Sequence, residues 1–528
     1  MPELTAGLSN RVHASVAMRV VTVLVLCLCA LSLTGLAFTL FMPLARDQGI
    51  FAWIGATIAH GGHQYTDAWD VKGPLVGLVY ALQVNVFGMT ESGVRAGDAV
   101  LWLLFSATTW MACRKLQLGQ LACLFGAAMA PMAVTMNWVV MGQPETWVGM
   151  LTMALFWVLT RPLTLQTAAA AAAIAGICFT VKPVYGLLLL PVAVALWHTR
   201  QGTDDARRPL LALAATAAVA FIAPILAMVA YLWAGSALQA YIEVQTRFNS
   251  EVHWLTMNKS ATDVLKLVTG DFLSPRWLPR TFLCVTGLVM LLRRDKVKGQ
   301  LLLATLVALY ASGAIQMKWY PYHFAAFDML TLLPIAVCLD WAVTRPPARD
   351  LRHTAFRLAC AAALLGWTLS KAVPTTLTTL RNVSASGLTN GQNAWQTAAC
   401  VPDYCHPAIV EAAQVVKAHT QPSDKVFVFG FDTLIYFLAD RASATGYGMS
   451  YPLLFPQIGY SAKARQEVAR TLLSDPPAMI VLQMKDANTL YPRDSITYFR
   501  EWPELNALAQ TRYTEVFRND RFIVLRQP

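Results

Sequence analysis

The sequence predicts an all-α polytopic membrane bundle of about eleven transmembrane helices, followed by a small α/β domain at its C-terminal end. Three observations carry that prediction. Apolar residues, 56% of the 528, fall in blocks of about 20, the length of a helix that crosses a bilayer. Charged side chains make up only 13% of the chain, where soluble domains carry roughly 25%. Beyond Cys405 helix-like stretches alternate with short β-rich runs, the pattern of an α/β unit. The first two observations argue against a soluble enzyme.

The first apolar block, Met18 to Met42, sits with Arg11 and Arg19. It is too long for a removable signal peptide and lacks a small-residue cleavage site, so it reads as a retained span. Further spans are expected at 93–113, 120–141, 146–160, 167–181, 183–198, 210–234, 278–292, 300–316, 322–343 and 355–374. Between the first two spans, Ile50, Phe51, Ile54 and Ile58 share one face of a helix too short and too polar to cross. Such a helix lies in the interface plane. A second is expected after Pro74, from Leu75 to Phe87. Residues 1–375 form the transmembrane domain and residues 376–528 the α/β domain. In the latter, Ala408–His419 and Ala462–Leu473 read as helices, and Lys425–Phe429, Met479–Gln483 and Phe522–Leu525 as strands.

The formal charge of +11 does not call for nucleic acid, because the basic residues stand in short clusters between apolar blocks, where they set topology. Arg114 with Lys115, Arg161, Arg200 with Arg207 and Arg208, the Arg293/Arg294/Lys296/Lys298 group and Arg345/Arg349/Arg352/Arg357 all fall on one side. The positive-inside rule makes that side the cytoplasm. An odd number of crossings then leaves the N-terminus cytoplasmic and the C-terminal domain outside a plasma (inner) membrane. Cysteine usage points the same way. Eight of the ten cysteines lie in or beside apolar blocks, where a thiol packs as a small hydrophobe. Cys400 and Cys405 flank Val-Pro-Asp-Tyr, a spacing that closes a small disulfide loop in an oxidising compartment. A metal site there would need more ligands than the adjacent His406.

Three outer stretches are too long or too polar to be simple turns: 43–92, 235–277 and 376–528. The first opens Arg46-Asp47-Gln48-Gly49 and continues Tyr65-Thr66-Asp67-Ala68-Trp69-Asp70-Val71-Lys72-Gly73-Pro74. Singly these charges have ordinary explanations: Asp47 as a helix N-cap, Asp67 as an Asx turn, Lys72 snorkelling to headgroups. Polar residues recur, however, at other outer helix ends, in Gly142-Gln143-Pro144-Glu145, Val181-Lys182-Pro183 and Gln316-Met317-Lys318-Trp319-Tyr320-Pro321-Tyr322-His323. Ionisable groups near hydrocarbon are costly, about 2.5–3.5 kcal/mol each at the bilayer centre, and their repeated placement there points to function. For residues 235–277, an acceptor-side lid and an amphipathic helix on the membrane explain the pattern about equally well.

The order of these motifs over residues 15–345 resembles the GT-C glycosyltransferases, in particular the branch with protein O-mannosyltransferases and the lipid A aminoarabinose transferase. The resemblance implies a GT-C bundle that transfers a sugar from a polyprenyl-phosphate donor to a glycan, lipid or protein acceptor outside the membrane, among membrane lipids. It places Asp47 at the first-loop catalytic carboxylate, Glu145 at the second acidic position, and Asp70 with Lys72 in the acidic-Lys-Pro motif. Lys182 becomes a cavity lysine, and Lys318 with Tyr322 or His323 the late basic motif. Tyr65 and Asp67, in the same stretch, are expected to be acceptor or loop residues. Gln48 departs from the Asp-Glu pair of protein mannosyltransferases, which weakens a protein acceptor. A carboxylate at Asp47 suits a general base, and Lys72, Lys182, Lys318 and His323 suit a phosphate leaving group. One displacement inverts the anomeric centre, by analogy with glycosidases. The sequence names no definite cofactor, and Asp47 and Glu145 together are a candidate pair for a divalent ion. A transporter and a lipid-oligosaccharide polymerase or ligase are the competing readings.

Overall fold

The computed structural model describes residues 2–132, 140–200, 207–254, 259–344, 351–386, 400–488 and 490–528. Residues 133–139 of the expected third span, and Arg345 and Arg349 of the last basic cluster, lie outside them.

The chain is mostly helical. Its long helices are α1 (Pro2–Phe38), α4 (Glu91–Lys115), α5 (Gln120–Met132), α6 (Pro144–Leu159), α7 (Leu165–Val181), α8 (Leu189–Arg200), α9 (Arg207–Ala234), α12 (Leu278–Arg294), α13 (Lys296–Ala314), α15 (Leu332–Thr344) and α16 (Leu351–Ser386). Between them lie α2 (Arg46–Ala59), α3 (Pro74–Phe87), α10 (Leu238–Glu243), α11 (Ala261–Leu273) and α14 (Ala325–Leu330). Among the described residues, six segments are long and apolar enough to cross a membrane: Arg19–Phe41, Glu91–Lys115, Leu210–Ala234, Lys296–Ala314, Pro321–Val343 and Thr354–Pro374. Their outward side chains are apolar, with Leu33, Leu211, Trp233 and Leu358 largely exposed, as a helix facing lipid requires.

Local chemistry sets the helix ends. Thr90 caps α4, its hydroxyl accepting from Gly93 N at 3.0 Å, and Asp295 caps α13 through Lys298 N at 3.1 Å. Proline opens α3 and α6 at their first position, where its missing N–H costs nothing. The alanine-rich α7 packs on α9 so closely that a side chain at Gly176 would meet Phe221 O. Small residues allow helix backbones that approach.

The C-terminal region holds a two-stranded hairpin, β1 (Cys400–Val401) with β2 (Tyr404–Cys405), and a five-stranded sheet. The sheet strands are β3 (Lys425–Phe429), β4 (Ala442–Ser443), β5 (Met479–Gln483), β6 (Thr514–Arg518) and β7 (Phe522–Arg526), in the spatial order β4-β3-β5-β7-β6. β3 pairs in parallel with β4 and β5, whereas β5 with β7 and β7 with β6 are antiparallel. Val426–Phe429 and all of β5 are buried, as continuous apolar strands covered on both faces should be. Cys400 and Cys405 form a disulfide across the hairpin.

This region docks on α2, which is buried from Gln48 to Ala56. Trp53 stacks on Tyr436 with ring centroids 5.4 Å apart, and a Cβ at Gly49 would come within 2.9 Å of Leu434 Cβ. The other side of α2 meets α3, where a Cβ at Gly55 would lie 2.7 Å from the Tyr80 backbone.

Candidate active site

Between the sheet-bearing region and the bundle lies a cavity of about 460 Å³. Asp47, Asp70, Lys72, Lys182, Lys318, Tyr322 and His323 all line it, although they come from four separate places in the chain. Glu145 sits directly behind this wall, fully buried.

Asp47 is in the first turn of α2 and accepts a hydrogen bond from Gln143 Nε2 at 3.1 Å. Its neighbour Gln48 is structural. The Gln48 Oε1 accepts from Arg95 Nη2 and from Ala45 N, each at 2.8 Å, while its amide nitrogen donates to Met141 O. A glutamate there would bring an acceptor against that carbonyl. Arg95 is itself buried, paired with Asp98 at 3.2 Å and bonded to Met42 O and Pro43 O. The amide at 48 thus ties the start of α2 to the turn that carries Gln143.

Lys72 and Lys182 converge on one oxygen of Glu145, at 3.4 and 3.0 Å. Lys182 also donates to Gln316 Oε1, while Glu145 Oε2 has no partner among the described residues. Gly73 allows the approach: its N donates to Val181 O at 3.2 Å, and a Cβ on it would stand 1.9 Å from Thr180 O. The Lys72 ammonium lies 5.3 Å from the Tyr322 ring centroid and 6.0 Å from that of Phe51, a cation–π arrangement. Burial acts to lower the Lys72 pKa, but Glu145, Asp47 and Asp70 outweigh it and hold the group above its ordinary value. Asp70 is pushed up to about 6 by burial, against the pull of Lys72, and its Oδ2 has no partner among the described residues. Lys318 is lowered to about 6 by burial first and then by Lys182 and Lys72; its ammonium contacts the His253 imidazole. His323 is buried, with Nδ1 unpartnered among the described residues.

Two of the expected residues are elsewhere. Tyr65 is buried beneath the loop, its hydroxyl donating to Lys72 O at 2.6 Å, so it holds Lys72 from behind. Asp67 is exposed and accepts from His63 N at 2.8 Å, closing a turn. Among the described residues, no group of three His, Cys, Asp or Glu side chains converges in ion-holding geometry.

Several lining residues were not singled out from sequence as a site. Gln245, Asn249 and His253 reach the cavity from a π-helical segment, Val244–His253. Their spacing of four puts them on one face of a helix, and polarity alone does not tell a cavity face from a solvent face. Gln245 Nε2 donates to Val71 O at 2.9 Å, which fixes this segment against the first loop. The sheet-bearing region adds Phe431, Met449 and Tyr451.

No protein-family model matches the chain, and no curated protein matches it. Solved structures do. ArnT from Cupriavidus metallidurans, bound to undecaprenyl phosphate, is similar over 96% of this chain and 98% of that one, at 18% identity and a TM-score of 0.60. The apo state of the same protein gives 97% and 98%, 17% identity and 0.60. The arabinofuranosyltransferase AftD from Mycobacteria is similar over 95% of this chain and 40% of its own, at 13% identity and 0.51. A helical membrane bundle capped by a sheet, with a charged cavity between them, is thereby placed among polytopic membrane proteins. Its fold is the GT-C fold.

Proposed function

We propose that the chain is a membrane glycosyltransferase that moves a sugar from a polyprenyl-phosphate carrier to a hydroxyl of a cell-envelope acceptor. The observation that carries this reading is the shared cavity, where the Asp47 carboxylate and the lysines Lys72, Lys182 and Lys318 line one space between bundle and sheet. In this reading Asp47 takes the proton of the attacking hydroxyl, an effect typically worth about 10²–10⁴ in rate. The lysines stabilise the charge that collects on the departing lipid phosphate, in a site partly closed to water. Attack and departure on opposite faces of one carbon invert the anomeric centre. Glu145, with one oxygen given to two lysines, positions those lysines. The lysines neutralise the phosphate directly; a divalent ion shared by Asp47 and Glu145 is the alternative, and sensitivity of transfer to a chelator tests it.

In this reading the cavity and the C-terminal region face the outer side of a plasma (inner) membrane, with the N-terminus cytoplasmic, which the one-sided basic clusters support. The undecaprenyl phosphate bound by the similarly folded ArnT supports a carrier of that chemistry. Membrane lipid surrounds the bundle, and the acceptor is a glycan, lipid or protein. The test has two parts. Native mass spectrometry of the purified chain with undecaprenyl phosphate should show a one-to-one complex that Lys72→Gln weakens. Mass spectrometry of envelope glycolipids and glycoproteins from cells lacking the gene should show one missing sugar. An unchanged glycan profile with no lipid binding would overturn the reading.

A further inference from the structure

Arg46 stands immediately before Asp47, yet its guanidinium turns away from the cavity floor into the sheet-bearing region. Its Nε lies 3.1 Å from Asp432 Oδ1 and its Nη1 2.8 Å from Asp403 Oδ2, and Nη2 donates to Asp403 O. The Tyr404 and Phe431 rings flank it at 5.6 and 5.7 Å from their centroids. Both carboxylates are fixed in turn. Asp432 accepts from Gln483 Nε2, and Gln483 Oε1 accepts from Phe431 N at 2.7 Å and Asp432 N at 3.1 Å. Asp403 sits on the β1–β2 hairpin that the Cys400–Cys405 disulfide closes. Tyr404 of the same hairpin donates to Leu44 O at 2.6 Å. The backbone on either side of Asp47 is therefore clamped, by Tyr404 on Leu44 before it and by Leu434 against Gly49 after it.

We propose that Arg46 is a positioning residue for Asp47, and that the C-terminal region completes the active site by gripping Arg46 through Asp403 and Asp432. The assignment rests on the reading of Asp47 as the base. A guanidinium with three donors engaged in a fixed fork sets the direction of the first turn of α2, which a single-point contact does not. Phe431, adjacent to Asp432 and lining the cavity, makes the same grip part of the substrate wall.

The experiment uses the full-length chain in nanodiscs, with Arg46→Gln, Arg46→Lys and Asp403→Asn. Hydrogen exchange at the amides of residues 45–50 is read alongside binding of undecaprenyl phosphate and, in complemented cells, the rate at which the envelope sugar appears. Arg46→Gln should raise local exchange by about tenfold and lower transfer by about 10²-fold, the scale of a 1 Å misplacement, while lipid binding is unchanged. Asp403→Asn, at a carboxylate one-third exposed, should give a smaller change of the same sign without threatening folding, and Arg46→Lys should recover part of the loss. Unchanged exchange and transfer in both Arg46→Gln and Asp403→Asn would overturn the clamp. Asp47→Asn separates the two readings: full transfer in that variant removes the base assignment, while the exchange response of Arg46→Gln still reports the grip.

Discussion

The Lys72 ammonium lies 3.4 Å from Oε1 of Glu145, joining the first loop to the first turn of α6 inside protein. Lys182 shares that oxygen, so one carboxylate serves two cations and the trio keeps a positive charge. An anionic ligand completes the balance, which is why these lysines are read as the phosphate end of the cavity and Asp47, outside the trio, as the base.

Glu145→Gln leaves two lysines inside the protein without their counter-charge. Removing one partner of a buried pair costs about 3–5 kcal/mol. Thermal unfolding in detergent should fall sharply for this variant and recover when undecaprenyl phosphate is added, because the lipid's charge replaces the carboxylate. An unfolding temperature equal to wild type would show that the lysines do not depend on Glu145.

Binding of the lipid phosphate should weaken as pH rises. The free Lys318 loses its proton at about 6, well below the ordinary lysine range, and a bound dianion raises that value. Between the two values binding takes up a proton, so affinity falls with rising pH, by up to about one decade per unit. The phosphate's own second ionisation near 6 acts in the opposite direction, so the decline is to be measured above pH 7. Lys318→Arg keeps its charge throughout and should make the decline shallower there, the remainder coming from Lys182, which burial lowers to about 8. A wild-type profile already flat from pH 7 to 9 would contradict the role given to Lys318.

Gly73→Ala tests the geometry. A methyl group there meets Thr180 O at 1.9 Å, and rigid backbone cannot yield. The loop must lift from the end of α7, moving Lys72 away from Lys182. Transfer should drop by about 10²-fold, with undecaprenyl phosphate bound more weakly. Normal binding in Gly73→Ala would show that the contact is not needed for the lysine pair.

Much of this site was legible in the sequence because its charges are anomalous. Asp47, Asp70, Lys72, Glu145, Lys182, Lys318 and His323 stand at apolar helix ends where charge is costly, and that cost marks a position whatever its neighbours. Asp67, read with them, lies on the surface as a turn closer. Other features carry no such mark. Gln245, Asn249 and His253 share one polar helix face, which in sequence reads equally as a face turned to water or headgroups. Phe431 and Tyr451 look like ordinary core aromatics. Arg46 reads as a flanking basic residue, and its partners Asp403 and Asp432 lie more than 350 positions away. Gln48 looked like a lost acidic residue, and its three hydrogen bonds show what the amide does instead.

The central claim is that Asp47 drives chemistry at this cavity rather than holding it together. Its most direct test is mass spectrometry of the envelope glycans and glycolipids of cells carrying Asp47→Asn, with protein level and undecaprenyl phosphate binding measured in parallel. The sugar missing from cells without the gene should stay missing, while the variant accumulates and binds the lipid like wild type. A fully restored sugar in Asp47→Asn cells would contradict the account.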